Sequence, residues 1–446
     1  MRPEPHTIAE LARALDARQT TAELVTEQCL DVIAAHNASL NAFITVWADD
    51  ARAQARRADA EIGAGRRRGP LHGVPVSLKD LIDVAGTATT AASQVRVAHV
   101  ARADATVVSR LRAAGAVLIG KNNLHEFALG TTNEDSAFGP VRHPLDPTRS
   151  PGGSSGGSAA AVLAGMAYAS IGTDTGGSIR IPAAACGLVG LKPALGDVPT
   201  DGVVPLSTTL DHLGPICRSA EDARMLYEVL RGAPRPAAAT PREPRGLRLG
   251  VLRDYFMALL DPEVAAAFEA ACARLRTAGV DLRDVAIAHA GDIAAAYVNI
   301  VLPEAAAYHA ITLDSQPGDY TPNVRSRLEM GRAILAADYV RALGVRDVLT
   351  REVDGALDGC DGLLLPTLPV PAITLGAATV RVGDSDQPVR NITLRLTQLF
   401  NMTGHPAMTL PCGRTAAGLP IGAQIVGPRR DTDALLDVAR AIEPHL

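Results

Sequence analysis

Aromatic residues are scarce in this chain, 3% of 446 positions, and only three of its 43 cationic side chains are lysine. So few rings argue against a large aromatic cage and point to a small or aliphatic ligand. Cysteine is thin as well: Cys29, Cys186, Cys217, Cys272, Cys360 and Cys412 lie far apart, without a CxxC pair. That spacing gives neither a zinc site nor a disulfide framework, and it fits reduced thiols in a cytoplasm. No run approaches the roughly 18 apolar residues that a membrane helix needs, and the first residues lack the apolar centre of a secretory signal. The net charge of −5 has both signs spread along the chain, so there is no basic stripe of the kind that holds nucleic acid. The single cationic run, Arg66-Arg67-Arg68 between Gly65 and Gly69, reads as a solvated loop.

What is present is an ordinary globular balance, 47% hydrophobic and 20% charged. Thr7 with Glu10, and Thr20 with Glu23, have capping-box spacing and open helices over 8–17 and 21–35. A polar, Ala/Arg-rich helix follows over 48–62. The segment Gly73-Val74-Pro75-Val76-Ser77-Leu78-Lys79 alternates like a strand, with Lys79 at its end. A helix over 105–114 leads to a buried strand over 116–119 that ends at Gly120-Lys121. From Gly139 to Pro193 small residues dominate, but their glycines form two non-repeating clusters about an Ala-rich helix over 158–169, which low complexity would not give. The Pro/Ala-rich run from Gly232 to Pro244 reads as a surface linker or loop.

Beyond that run, a strand over 247–252, a helix over 262–278 and a strand over 280–287 form a βαβ-like unit. A helical stretch then leads to strands over 362–365 and 423–426 and a last helix over 432–442. Strands and helices interleave throughout, so the class is α/β with a mostly buried sheet. One large domain is expected over 1–446, because neither half holds a complete core. Its parts are a helical portion over 1–65, a catalytic core over 66–230, the linker or loop over 231–246, and 247–446 completing the fold.

Three segments carry chemistry: Lys79-Asp80; Pro151-Gly152-Gly153-Ser154-Ser155-Gly156-Gly157-Ser158; and Gly172-Thr173-Asp174-Thr175-Gly176-Gly177-Ser178-Ile179-Arg180. Amide hydrolysis needs a nucleophile, a base for its proton, and donors aimed at the developing oxyanion. Glycines beside a serine let backbone N–H groups approach a substrate closely, because no Cβ intervenes. The Thr175-Gly176-Gly177-Ser178 turn can aim several such groups at one point, with Ser178 as nucleophile. Neither glycine cluster contains histidine, so the base must be sought elsewhere. Since arginine serves nearly every positive charge here, a retained lysine points to a task arginine cannot perform, such as losing its proton. A free lysine, with a pKa of about 10.4, is almost wholly charged at pH 7. Burial among Val74, Val76, Leu81 and Ile82 would lower that value and make Lys79 a base.

Taken together these segments resemble the amidase signature family. The Gly/Ser-rich core is matched by Gly152 to Ser158 and Gly172 to Pro182, and the lysine strand by Gly73 to Asp80. Outlying matches are His125-Glu126-Phe127-Ala128, Phe138-Gly139-Pro140-Val141-Arg142, Gly190-Leu191-Lys192-Pro193, and Phe400-Asn401-Met402-Thr403-Gly404 through Gly418-Leu419-Pro420-Ile421-Gly422. The resemblance therefore covers nearly the whole chain. It implies a single domain in which helices sandwich a central mixed β-sheet. It also implies an amidase with no cofactor and no metal, acting on a small-molecule amide and open to ester cleavage as well. Carried over residue by residue, the catalytic lysine is Lys79, the bridging serine Ser154, behind a cis Gly153–Ser154 bond, and the nucleophile Ser178. Thr175, Gly176, Gly177 and Ala128 then contact the substrate, and further pocket walls fall at 128–134, 297–308 and 365–370. A homodimer is the expected assembly, as is common among soluble enzymes.

Other readings fit less well. Gly152-x-Ser154-x-Gly156 matches the nucleophile elbow of α/β-hydrolases, with His212, His309 or His405 as partner, but leaves Ser178 without a role. His125-Glu126 lacks the second histidine of HExxH, and the glycine clusters lack a GK[ST] ending. His72, His143, His212 and His405 read as structural histidines. Lys121 and Lys192 read as ion pairs or caps, and Asp174 and Arg180 as shapers of the loop around Ser178. The same family includes the glutaminase subunit of tRNA-dependent amidotransferases. The segment Phe400 to His405 and the chain's end at Leu446 favour a free-standing enzyme over that component.

Overall fold

The computed structural model describes residues 7–233 and 242–446, so most of the expected linker falls outside the described residues. In chain order the strands are Phe43–Val46 (β1), Pro75–Lys79 (β2), Val117–Asn122 (β3), Ala169–Asp174 (β4), Val189–Lys192 (β5) and His212–Cys217 (β6). The second half adds Arg248–Leu252 (β7), Asp281–Val285 (β8), Gly362–Pro366 (β9) and the hairpin of Thr379–Val382 (β10) and Ser385–Pro388 (β11). Ala407–Arg414 (β12) and Pro420–Val426 (β13) complete the set.

Eleven of these strands form one sheet, ordered β1-β3-β2-β4-β6-β5-β12-β13-β9-β7-β8. β2 is parallel to β3 and β4, and β7 is parallel to β8 and β9. The other neighbours are antiparallel, so the sheet is mixed. It passes from the first half of the chain to the second through the β5–β12 pair. That is why neither half contains a core of its own, and the result is a single α/β domain with helices flanking a central sheet. β2 to β6, β9 and β13 are buried along their whole length, as expected where helices cover both faces.

Local signals mark most element ends. Thr7 and Glu10 form a complete capping box at Ile8–Asp16. The second helix, Ala22–Leu40, is capped by Thr21, whose hydroxyl accepts from the Leu24 N–H, so the Thr20–Glu23 reading is one residue early. The Ala-rich helix differs more: it spans Gly156–Ala164 and stops at Gly165, which has φ +84°. The alanine at 169 opens β4 instead. The βαβ-like unit is present, with β7 and β8 parallel and Pro262–Thr277 between them. The loosely defined helical stretch resolves into Ile293–Ser315, Pro322–Ala333 and Ala336–Leu357.

The topology sets up the site. Because β2 and β4 run parallel, with Leu78 opposite Ile171, the strand ends carrying Lys79 and Asp174 emerge on the same edge of the sheet.

Candidate active site

Lys79 ends β2 with no solvent exposure. Its Nζ donates to Ser154 Oγ at 2.8 Å and to Thr173 Oγ1, on the neighbouring β4, at 2.7 Å. Val74, Val76, Leu81 and Ile82 are all buried around this end of the strand. Burial lowers the lysine pKa to about 7, against the opposing pull of Asp174 and Asp211. An amine there is close to half neutral at pH 7 and so able to accept a proton.

Ser154 follows a cis Gly153–Ser154 bond and is fully buried. Its segment is held from two sides. The Ser154 carbonyl accepts from the His125 N–H at 3.1 Å, and Asn133 Oδ1 accepts from the Gly156 and Gly157 N–H groups at 2.9 and 3.3 Å. A Cβ on Gly156 would lie 2.7 Å from Asn133 Oδ1, and one on Gly157 would lie 2.3 Å from the Asn123 carbonyl oxygen. Here close protein neighbours already require the glycines, a cause that the sequence does not reveal.

Ser178 ends the loop that leaves β4. It is 5% exposed, more than Lys79 or Ser154, and its carbonyl accepts from the Ser155 N–H at 3.3 Å. Its hydroxyl makes no hydrogen bond among the described residues, so the structure joins Lys79 to Ser154 but leaves the Ser154–Ser178 step open. Within the same residues the N–H groups of Thr175, Gly176, Gly177 and Ser178 have no acceptor either. Four consecutive unpaired donors are unusual in a buried loop, and they are what an oxyanion requires.

The loop is anchored on every side. Arg180 donates to Asp174 through Nε (3.0 Å) and Nη2 (2.9 Å), and also to Thr397, Gln424 and Asn401. This pair holds the Asp174 carboxyl well below its usual range, despite burial. Asp174 also accepts from the Ile179 N–H, and Asn401 Nδ2 donates to the Asp174 carbonyl. Thr397 donates to the Gly176 carbonyl at 2.6 Å. Thr175 donates to Asp211 at 2.6 Å, and burial raises the Asp211 carboxyl to about 6. Ala128, with φ +60°, shares the wall of a cavity of about 140 Å³ with Thr173, Thr175 and Asp211, whereas Gly176, Gly177 and Ser178 do not line it.

The sequence gives Thr173, Asn133, Asp211, Asn401 and Gln424 no individual role, because each acts through partners distant along the chain. The histidines proposed for an elbow lie elsewhere. His212 meets the Leu210 carbonyl, His309 meets Tyr320, and His405 meets Thr403 and Asp354. None is a hydrogen-bond partner of Ser154 or Ser178 among the described residues. Lys121 pairs with Asp80 at 3.1 Å, and Lys192 donates to the Pro193 carbonyl at 2.9 Å. No group of three His, Cys, Asp or Glu side chains is placed to hold a metal among the described residues. No helix there is long and apolar enough to cross a membrane.

Comparison with known proteins shows the family and the fold. The family described as Amidase matches residues 24–436. A protein of Pseudomonas putida named Amidase is 42% identical, over 93% of this chain and 90% of its own length. The A subunit of the Glutamyl-tRNA(Gln) amidotransferase of Koribacter versatilis (strain Ellin345) is 37% identical, over 99% of this chain and 98% of its own. A crystal structure of an amidase superposes with a TM-score of 0.93 at 38% identity, covering 99% of this chain and 100% of that one.

Proposed function

From the premise that this chain belongs to the amidase family and is a hydrolase of C–N amide bonds, we propose that it is a free-standing amidase. In this reading it forms an acyl-enzyme on Ser178, with Ser154 and Lys79 as the proton relay. The observation that carries it is the buried Lys79–Ser154 hydrogen bond of 2.8 Å beside a loop of four unpaired N–H donors. Neutral Lys79 takes the proton of Ser154, Ser154 takes that of Ser178, and the Ser178 Oγ attacks the amide carbonyl. The link between the two serines closes when the free Ser178 hydroxyl turns toward Ser154. N–H groups of the loop from Thr175 to Ser178 receive the oxyanion. The relay run backwards protonates the departing amine or ammonia, and water cleaves the ester by the same route.

The likeness to the amidotransferase component supports a second reading, in which the same site releases ammonia from glutamine within a larger complex. Ammonia release by the purified chain on a panel of simple amides and glutamine, with Ser178→Ala as control, separates the two. The first reading expects release from simple amides that disappears in the variant. Silence on every amide, with release from glutamine only once a partner is added, would replace it with the second.

A further inference from the structure

The segment over 203–211 supplies nothing to the relay, yet it touches the structure on both sides of it. At its start Val203 bridges Ile82, and the Val204 N–H donates at 2.9 Å to the carbonyl of Leu81, two residues past Lys79. At its end the β4–β6 register sets His212 opposite Asp174. Asp211 therefore comes to lie beside Thr175 and accepts its hydroxyl at 2.6 Å. That is the one hydrogen bond Thr175 makes among the described residues. Thr175 opens the run of four unpaired N–H donors, so a single bond fixes where that run begins.

Between its ends the segment is pinned from inside and from outside. Asp211 also accepts from the Leu206 and Ser207 N–H groups, at 2.8 and 3.1 Å, which closes the segment into a turn. Glu304, on Ile293–Ser315, accepts from the Ser207 hydroxyl at 2.5 Å, the Thr209 hydroxyl at 2.7 Å and the Thr209 N–H at 3.1 Å. Its fourth donor is the Tyr339 hydroxyl, on Ala336–Leu357, at 2.9 Å. A carboxylate offers about four acceptor positions, and those of Glu304 are filled, two on each oxygen. All the donors to Asp211 and Glu304 are neutral, and neither acid has an ion-pair partner among the described residues. Bonds to an ionised acceptor are the stronger kind, so the segment is a strap tied to two long helices at one point and to the oxyanion loop at another.

We propose that Asp211 and Glu304 are positioning residues for the reaction at Ser178: through the strap they hold Thr175, and with it the loop of N–H donors, against the helices. The proposal rests on the amidase reading above. A misplacement of about 1 Å can cost about a hundredfold in rate, and loss of one oxyanion donor costs about as much or more. Slack in the strap should therefore appear in kcat.

The test is a double-mutant cycle between Glu304 and Thr175, read as kcat and KM on the best amide. Thr175→Val keeps the shape and removes the hydroxyl, and is expected to lower kcat at least tenfold. Glu304→Met is expected to lower it at least threefold, with KM in both variants within about threefold of wild type. The losses should not multiply: the double variant is expected at the rate of Thr175→Val, because the strap no longer reaches the loop. Glu304→Gln should restore most of kcat, since its amide can donate to the Thr209 and Tyr339 hydroxyls. Losses that multiply, or a raised KM with kcat unchanged, would overturn the proposal and leave the strap as a wall of the cavity that Val204 to Leu206 line. Should Glu304→Met not fold, Tyr339→Phe and Ser207→Ala, which each remove one bond to Glu304, take its place in the cycle. If no amide is cleaved, the amidase reading fails by itself and the cycle is read in urea midpoints. A loss in the double variant smaller than the sum of the two single losses upholds the strap, and an additive loss overturns it.

Discussion

Replacing Lys79, the base of the proposed relay, is expected to stabilise the protein at low pH while removing its activity. The Lys79 pKa of about 7, against 10.5 for a free amine, records what burial costs the ammonium. At about 1.4 kcal/mol per pKa unit, holding that ammonium in the fold at pH 6 costs about 5 kcal/mol. The folded value is depressed, so between about pH 7 and 10.5 the unfolded chain binds more protons and stability rises with pH. By pH 9 the remaining cost is about 2 kcal/mol. Lys79→Met keeps an unbranched apolar stem and removes this cost. It forfeits the bonds to Ser154 (2.8 Å) and Thr173 (2.7 Å), together worth about 2 kcal/mol. The variant should therefore be about 3 kcal/mol more stable than wild type at pH 6, with little advantage left at pH 9. Urea midpoints of both proteins at the two pH values, with ammonia release measured alongside, check this. An equal difference at both pH values, or a less stable variant at pH 6, would mean that Lys79 does not titrate as a desolvated amine. The relay would then need another base.

Two further substitutions probe the loop. Arg180→Met strands the Asp174 carboxylate in the interior, and breaking such a pair costs about 3–5 kcal/mol; a urea midpoint implying less than about 1 kcal/mol would show that the network is not what holds the loop. Gly176→Ala brings a methyl group to 2.3 Å from the Tyr297 Oη and should lower kcat/KM on the best amide at least a hundredfold, about 2.7 kcal/mol. Adding Tyr297→Phe removes the oxygen in the way and should restore part of the loss, whereas near-normal activity in Gly176→Ala alone would show that the loop yields easily.

The sequence gives up the residues of the proposed relay more readily than the parts that hold them in place. Lys79 and Ser178 stand out by the residues around them, a rare lysine ending an alternating run and a serine closing a glycine turn, whereas the part given to Ser154 comes from the family resemblance. The residues that position them carry no such mark. Thr173 is an ordinary strand threonine until β4 lies beside β2, and Asp211 sits 36 positions from the hydroxyl it receives. Asn401 and Gln424 meet Arg180 across 221 and 244 positions. The strands that join the two halves, β5 and β12, escape notice for a related reason. Val189–Lys192 is only four residues long, too short to display a period, and Ala407–Arg414 contains a proline and a glycine that usually punctuate strands. The misplaced end of the Ala-rich helix has its own cause: alanine fits a buried strand and a helix alike, and the length of that run outweighs the break at Gly165.

The rarity of lysine, taken from the sequence alone, points to a task that arginine cannot perform, and the property that Lys79, Lys121 and Lys192 share is complete burial. A slender amine on a four-carbon stem can end inside a core where a planar fork with five donors cannot be satisfied. What separates the three is the partner at the tip. Lys121 meets the carboxylate of Asp80, which favours the ammonium. Lys192 meets the Pro193 carbonyl, an acceptor that wants a donor and gives nothing back. Lys79 meets two hydroxyls, which can donate to a neutral amine as readily as accept from a charged one. Of the three environments, only that one places hydroxyls and no carboxylate at the amine and so offers a proton to take; burial is common to the lysines, and the hydroxyl pair marks the one that the proposed relay uses as its base.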